Sequence, residues 1–239
     1  MTSIDLFIPC HINQYYPNIA VSTVKILEHF SIKINYVPLS LCCGKTPYEL
    51  GYWDEAKKYG ENFIKAYSNN RKIVVPSYSC VNMIKNHYHT LFNNTALHNE
   101  FKQIQKNIYE LSDFLVNVMN ITDTASLFPY AVSYHYSCQE HLYGANNEAL
   151  TLLKNVKNLT LIELEDNDTC CGYNGSLNIT QKHLSEKMAK HKIEKIKKAN
   201  VNFVTSPEIS CLMHIEKYIR KFKLNTKIIH LAEILAASY

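Results

Sequence analysis

One cysteine pattern occurs twice in this chain. Cys10 is followed by 31 residues, then Cys42-Cys43-Gly44, then Cys80; Cys138 is followed by 31 residues, then Cys170-Cys171-Gly172, then Cys211. Three of the four cysteines recur at a shift of 128 positions and the fourth at 131, and all eight cysteines belong to the pattern. Self-similarity of this kind means two copies of one structural unit, each gathering four sulfurs.

What the sulfurs are for depends on the compartment. Met1-Thr2-Ser3-Ile4-Asp5 has no basic start and no long apolar core, so no signal peptide is expected. No apolar run reaches the roughly 18–20 residues of a transmembrane segment. The chain is expected to be cytoplasmic, in solution or peripheral to the inner membrane face, where thiols stay reduced. Reduced cysteines favour metal binding over a disulfide framework. The net charge of +4, from 25 basic and 21 acidic residues, is too mild to argue for nucleic acid as a partner.

Strand-like and helix-like stretches alternate in both halves. Residues 4–8, 32–37 and 73–75 read as strands, each followed by a cysteine segment; residues 18–30 and 48–67 carry helical spacing. The order returns with strands at 130–134, 159–164 and 203–205, and a last strand at 227–230 precedes a terminal helix. Such alternation predicts an α/β fold: two pseudo-repeated Rossmann-like halves with parallel sheets. Every cysteine then falls beyond the carboxyl end of a strand, near a helix start, where open α/β sheets build their sites. The expected division is residues 1–95, a helical connector over 96–127, and residues 128–239. In the connector, Leu97, Phe101, Ile104, Ile108, Leu111, Leu115 and Val118 follow a four-three spacing. That spacing predicts a helical seam, broken at most at Ser112-Asp113, which packs the halves together or docks a partner.

Three chemistries suit the cysteines. Iron–sulfur clusters take four thiolates each, which matches the count per half. Structural zinc takes four as well, but its ligand pairs are usually separated by two to four residues, and none here are. Adjacent cysteines also suit a redox disulfide. Gly44 and Gly172 fit a tight turn beside two adjacent ligands.

At these residues the chain resembles the cysteine-rich, or CCG, domain family, which includes the B subunit of heterodisulfide reductase. It is most similar to the family's lactate-utilisation branch, through Leu150-Thr151-Leu152-Leu153-Lys154-Asn155-Val156, Asp168-Thr169-Cys170-Cys171-Gly172, Ser210-Cys211-Leu212 and the ending His230-Leu231-Ala232-Glu233-Ile234-Leu235. In the first half Cys42-Cys43-Gly44 and Ser79-Cys80 match. The resemblance implies an iron–sulfur electron-transfer subunit in the oxidation of L-lactate to pyruvate. It implies 4Fe-4S clusters, with zinc as the substitute, on Cys10, Cys42, Cys43 and Cys80 and on Cys138, Cys170, Cys171 and Cys211. It also implies companion subunits, a larger ferredoxin-like B protein and a C protein. A thiol/disulfide-active reductase subunit and a zinc-stabilised scaffold are the alternatives. The heterodisulfide reductase branch carries a further cysteine per half, and here Ser77 and Glu208 take its place. Each is a candidate oxygen ligand.

Four histidines lie near cysteines: His11, His135, His141 and His214. Their expected places are the surface or behind the ligands. Asp166 and Asp168 are expected to shape the loop before Cys170. Residues 179–199 form a basic helix, seven lysines against two glutamates, with Leu184, Met188, Ile193 and Ile196 as its apolar side. A solvated face is its expected role, and docking to an acidic partner the alternative.

Overall fold

The computed structural model describes residues 2–37, 41–165, 169–173 and 175–239. Asp166 and Asp168 therefore lie outside the described residues. The strands are short and β-branched, and each central one is buried over most of its length, as β1 (Ser3–Leu6) and β3 (Lys72–Val75) show. With β2 (Lys33–Tyr36) and β4 (Ile108–Glu110) they form an all-parallel sheet in the order β2-β1-β3-β4. The second half repeats it with β5 (Ala131–Tyr134), β6 (Thr160–Leu161), β7 (Phe203–Ser206) and β8 (Lys227–His230), in the order β6-β5-β7-β8. The expected α/β fold of two pseudo-repeated halves is the fold found.

Strand order reverses between β1 and β3, and between β5 and β7. A crevice opens there at the carboxyl edge, because the connections leave in opposite directions. Into it run the helices that follow the strands: α1 (Cys10–Tyr15), α2 (Pro17–His29), α3 (Lys45–Glu49), α4 (Trp53–Tyr67) and α5 (Tyr78–Asn82). A π-helical turn at Met83–His87 joins α5 to α6 (Tyr88–Phe92), before α7 (His98–Asn107). In the second half the helices are α9 (Cys138–Tyr143), α10 (Glu148–Lys154), α11 (Leu177–Thr180), α12 (Lys182–Ala199), α13 (Ile209–Lys221) and α14 (Leu231–Leu235). α8 (Leu111–Asp113), with the π-helical turn Phe114–Val118, is the first-half counterpart of α14.

Alternate strand residues point to opposite faces. Ile73 and Val75 join a core with Phe63, Tyr88 and Phe101, while Ile4, Leu6 and Val74 face a second core shared with Val132, Val204 and Leu231. The shared core is why the halves do not separate. Helix pairs cross the junction in matched fashion: α1 against α13 and α5 against α9, α2 against α14 and α8 against α10. Each pair exchanges into the other when the halves are swapped, so a pseudo-twofold axis relates them.

Residues 97–118 are not one helical seam. Ile108–Glu110 is a strand, paired with β3 from Ile73↔Ile108 to Val75↔Glu110. The four-three spacing is an accident of composition: Phe101, Ile104 and Ile108 face one core, and Leu111, Phe114 and Leu115 the other. With its apolar residues buried in the chain's own cores, this segment offers no exposed seam to a partner. The helix expected at 48–67 is two, α3 and α4, parted at Gly51, whose φ of +84° no helix accommodates. The strand expected at 159–164 shrinks to β6, and the basic helix of 179–199 starts at Lys182. On that helix Ile193 and Ile196 are buried as expected, but Leu184 is exposed.

Candidate metal centres

Each quartet assembles at its own crevice. Cys10 is the first residue of α1, beyond β1; Cys42 and Cys43 precede α3, beyond β2; Cys80 lies in the first turn of α5, beyond β3. Cys138 opens α9, Cys170 and Cys171 lie beyond β6, and Cys211 lies in the first turn of α13. Helix N-termini favour negative charge, so thiolates are at home there. Cys43, Cys80, Cys171 and Cys211 are buried, the other four are half-buried, and all eight are free thiols.

The sulfurs of each half are close enough to share protons. Cys43 Sγ and Cys80 Sγ are 3.2 Å apart. The thiols of Cys10 and then Cys43 donate to Cys42, whose pKa falls to about 3 against the opposing effect of burial. As the donors, Cys10 and Cys43 are pushed up. The second half repeats this: Cys138 and Cys171 donate to Cys170, which falls to about 2, and are themselves pushed up. A backbone N–H supports each thiolate, Gly44 N to Cys42 Sγ and Gly172 N to Cys170 Sγ, both at 3.4 Å. Tyr173 N adds a contact of 3.4 Å to Cys171 Sγ.

The two glycines are required by both space and backbone. Gly44 and Gly172 adopt φ of +75° and +88°, and an added Cβ would stand 2.9 Å from Ala56 O and 2.6 Å from Ser185 O. The cysteine loop thus lies directly on the following helix.

Ser77 and Glu208, the candidate oxygen ligands, have other partners. Glu208 is the N-cap of α13 and accepts from Ser210 N and Ser210 Oγ. Its carboxylate also reaches across the axis to Ser77 Oγ at 3.1 Å and Ser79 N at 2.9 Å. Burial raises the pKa of Tyr173, next to Cys171 and Gly172; Lys45 opposes this and Glu208, Glu49 and Cys10 add to it, so first-half charges lie near the second cysteine loop.

The histidines divide. His214 Nε2 meets Ser185 Oγ at 3.3 Å, behind the Gly172 turn, in keeping with the expectation for it. His135 does not fit the expectation: it is fully buried, and it forms a group with Cys171 and Cys211 whose ligand atoms all lie within 4.8 Å of one another. Burial, and then the charge of Lys192, push its imidazole down to about 3, so the ring is neutral. Among the described residues, neither ring nitrogen has a hydrogen-bond partner. A buried polar atom left unmet is costly, and metal coordination removes that cost. Sulfurs in mutual reach and an imidazole with no partner fit a metal ion or an iron–sulfur cofactor.

Comparison with known proteins agrees with this donor set. The model of the cysteine-rich domain family matches residues 4–85 and again 132–216. The chain belongs to that family. The two matches begin within or at the edge of β1 and β5, so the family unit is the structural repeat. A protein of Geobacillus thermodenitrificans named lactate utilization protein A is 32% identical over 97% of this chain and 98% of its own. One of that name from Bacillus subtilis is 29% identical over 97% of this chain and 98% of its own. A solved structure of a hypothetical protein from Helicobacter pylori shares the fold, with a TM-score of 0.65 at 15% identity. It covers 100% of this chain, which spans 49% of that protein.

Proposed function

We propose that the chain is an iron–sulfur electron-transfer subunit in the oxidation of L-lactate to pyruvate. The observation that carries this reading is the pair of complete free-thiol quartets at the two crevices, in a chain that matches lactate utilization protein A almost end to end. Cys10, Cys42, Cys43 and Cys80 would hold one 4Fe-4S cluster, and Cys138, Cys170, Cys171 and Cys211 the other. Bound clusters supply one-electron storage; lactate oxidation releases two electrons, and two sites match that number. The chain's own residues bury the sulfurs, support Cys42 and Cys170 as thiolates through the N–H groups of Gly44 and Gly172, and lock both sites to one axis through Glu208. The companions of this subunit would be a larger ferredoxin-like B protein and a C protein. Cytoplasmic placement fits a chain in which, among the described residues, no helix is long and apolar enough to cross a membrane.

The test is metal and sulfide analysis of anaerobically purified protein, joined to lactate-dependent dye reduction. Iron and acid-labile sulfide in equal amounts, up to about eight of each per chain, are expected. The chain alone should not turn over lactate, and adding the companions should restore reduction. Stoichiometric zinc without sulfide would defeat the cluster reading, and robust turnover by the single chain would make it the dehydrogenase itself. The 3.2 Å approach of Cys43 to Cys80 also suits a disulfide-active site. Turnover of a disulfide substrate, and not of lactate in any combination, would establish that alternative.

A further inference from the structure

The two quartets have different neighbours. The 128-residue shift that superimposes Cys10 on Cys138 pairs Phe7 with His135. Both side chains are buried, directly after the central strand of their half. Their backbones are held alike: Phe7 N donates to Val74 O at 3.0 Å and His135 N to Thr205 O at 2.8 Å. Phe7 spends its place on hydrocarbon packing, meeting Phe63 edge-on at 4.9 Å between ring centroids and Tyr67 at 6.1 Å.

His135 occupies the equivalent place with two polar atoms and, among the described residues, no hydrogen-bond partner for either. Leaving a polar group unmet in the interior is costly. The ligand atoms grouped with the ring are the sulfurs of Cys171 and Cys211, both buried. On a tetrahedral metal, bonds of about 2.3 Å to sulfur and about 2.0–2.1 Å to nitrogen put the donor atoms roughly 3.5–3.8 Å apart. The observed group, with all separations inside 4.8 Å, would draw together to that spacing on binding. At the equivalent place the first half has Phe7, which offers no nitrogen.

We propose that His135 is a nitrogen ligand at the second site, taking the place of one of its four thiolates beside Cys171 and Cys211, so that this site is mixed nitrogen–sulfur where the first is all sulfur. The inference rests on the reading of the quartets as metal sites. In iron–sulfur centres an imidazole in place of a thiolate raises the reduction potential, because a neutral donor replaces an anionic one. The second site is then the one that holds the electron when the pair carries only one.

The experiment uses anaerobic protein labelled with 15N-histidine, reduced by one electron and studied by pulsed EPR. A nitrogen coupling of direct-ligand size is expected in the wild type, with no variant needed. His135→Phe, which copies the first half, should abolish the coupling and lower the upper of two redox steps while leaving the lower step in place. The lower step also reports that the variant is folded. Absence of a strongly coupled nitrogen in the wild type, or its survival in His135→Phe, would overturn the inference. Protein without iron and sulfide would defeat the cluster reading instead, and cobalt(II) then becomes the probe. His135→Phe should weaken its binding at least about tenfold, and unchanged affinity would refute the ligand role.

Discussion

Ser77 Oγ donates to Glu208 Oε2 at 3.1 Å, and the two residues hold equivalent positions, the N-caps of α5 and α13. A contact between equivalents can occur only on the axis that relates them. The axis therefore passes between the two helices that carry Cys80 and Cys211, and one carboxylate pins both.

Glu208 is almost fully buried and also accepts from Ser79 and Ser210. Truncating it would strand these donors inside the junction. Glu208→Ala is expected to lower the unfolding free energy by roughly 2–3 kcal/mol, read from urea denaturation. Ser77→Ala removes one donor from a well-supplied acceptor and should cost about 1 kcal/mol or less. Equal losses would place the stabilisation elsewhere than in the carboxylate.

The sulfur sites were legible in the sequence because their repeat is long-range and in register with strand–helix alternation. Cys10, Cys80, Cys138 and Cys211 each fall in the first turn of a helix after a strand, as that alternation demands. β4 was not legible: Ile108-Tyr109-Glu110 is too short for a period of two to outweigh the surrounding four-three pattern, and its strand state comes from pairing with β3. Glu208 reads as a lost ligand until the axis brings Ser77 against it. His135 lies three residues before a cysteine, like many surface histidines near loops. Its burial, and the alignment with Phe7, give it meaning.

The glycine turns rank by what a side chain would meet. Gly144 also has positive φ, at +80°, but open space around it, so Gly144→Ala should cost about 1–2 kcal/mol from backbone strain alone. Gly172→Ala adds a 2.6 Å approach to the Ser185 carbonyl and should cost roughly 2–4 kcal/mol. Gly44→Ala, with 2.9 Å to Ala56 O, should fall between them. Thermal unfolding of the three variants checks the order, and the two cysteine-loop variants should also bind less iron.

Two buried carboxyls predict a falling stability with pH. Burial pushes Glu110 up to about 8 and Glu140 up to about 7, from a usual value of 4.5. Between the usual and the raised value, the folded state keeps a proton that the unfolded state has released. Stability is therefore full below about 4.5 and is lost as pH rises through 7 and 8, by up to about 1.4 kcal/mol per pH unit per group. Among the described residues Glu110 Oε1 has no hydrogen-bond partner, which leaves it as the place for the proton, while Oε2 accepts from Ser112 N at 2.6 Å. Glu110→Gln supplies a permanent N–H there. Urea midpoints at pH 5 and pH 8 should differ less in Glu110→Gln than in the wild type; an unchanged difference would show that Glu110 is ionised in the folded protein.

The quartets should also lose their metal independently. Cys170 is the thiolate of the second half, receiving hydrogen bonds from Cys138 and Cys171 and support from Gly172 N. Removing its sulfur leaves two thiols, Cys138 and Cys171, without their acceptor at that site. The Cys43–Cys80 contact and the Gly44 N–H to Cys42 lie in the other half and do not depend on it. Cys170→Ala is expected to keep roughly half the iron and sulfide of a fully loaded chain, and Cys42→Ala the other half. The remaining redox step should be the lower one in Cys170→Ala and the higher one in Cys42→Ala, since His135 stays with the second site. Loss of all iron from a folded Cys170→Ala protein would mean one shared site spanning the axis in place of two.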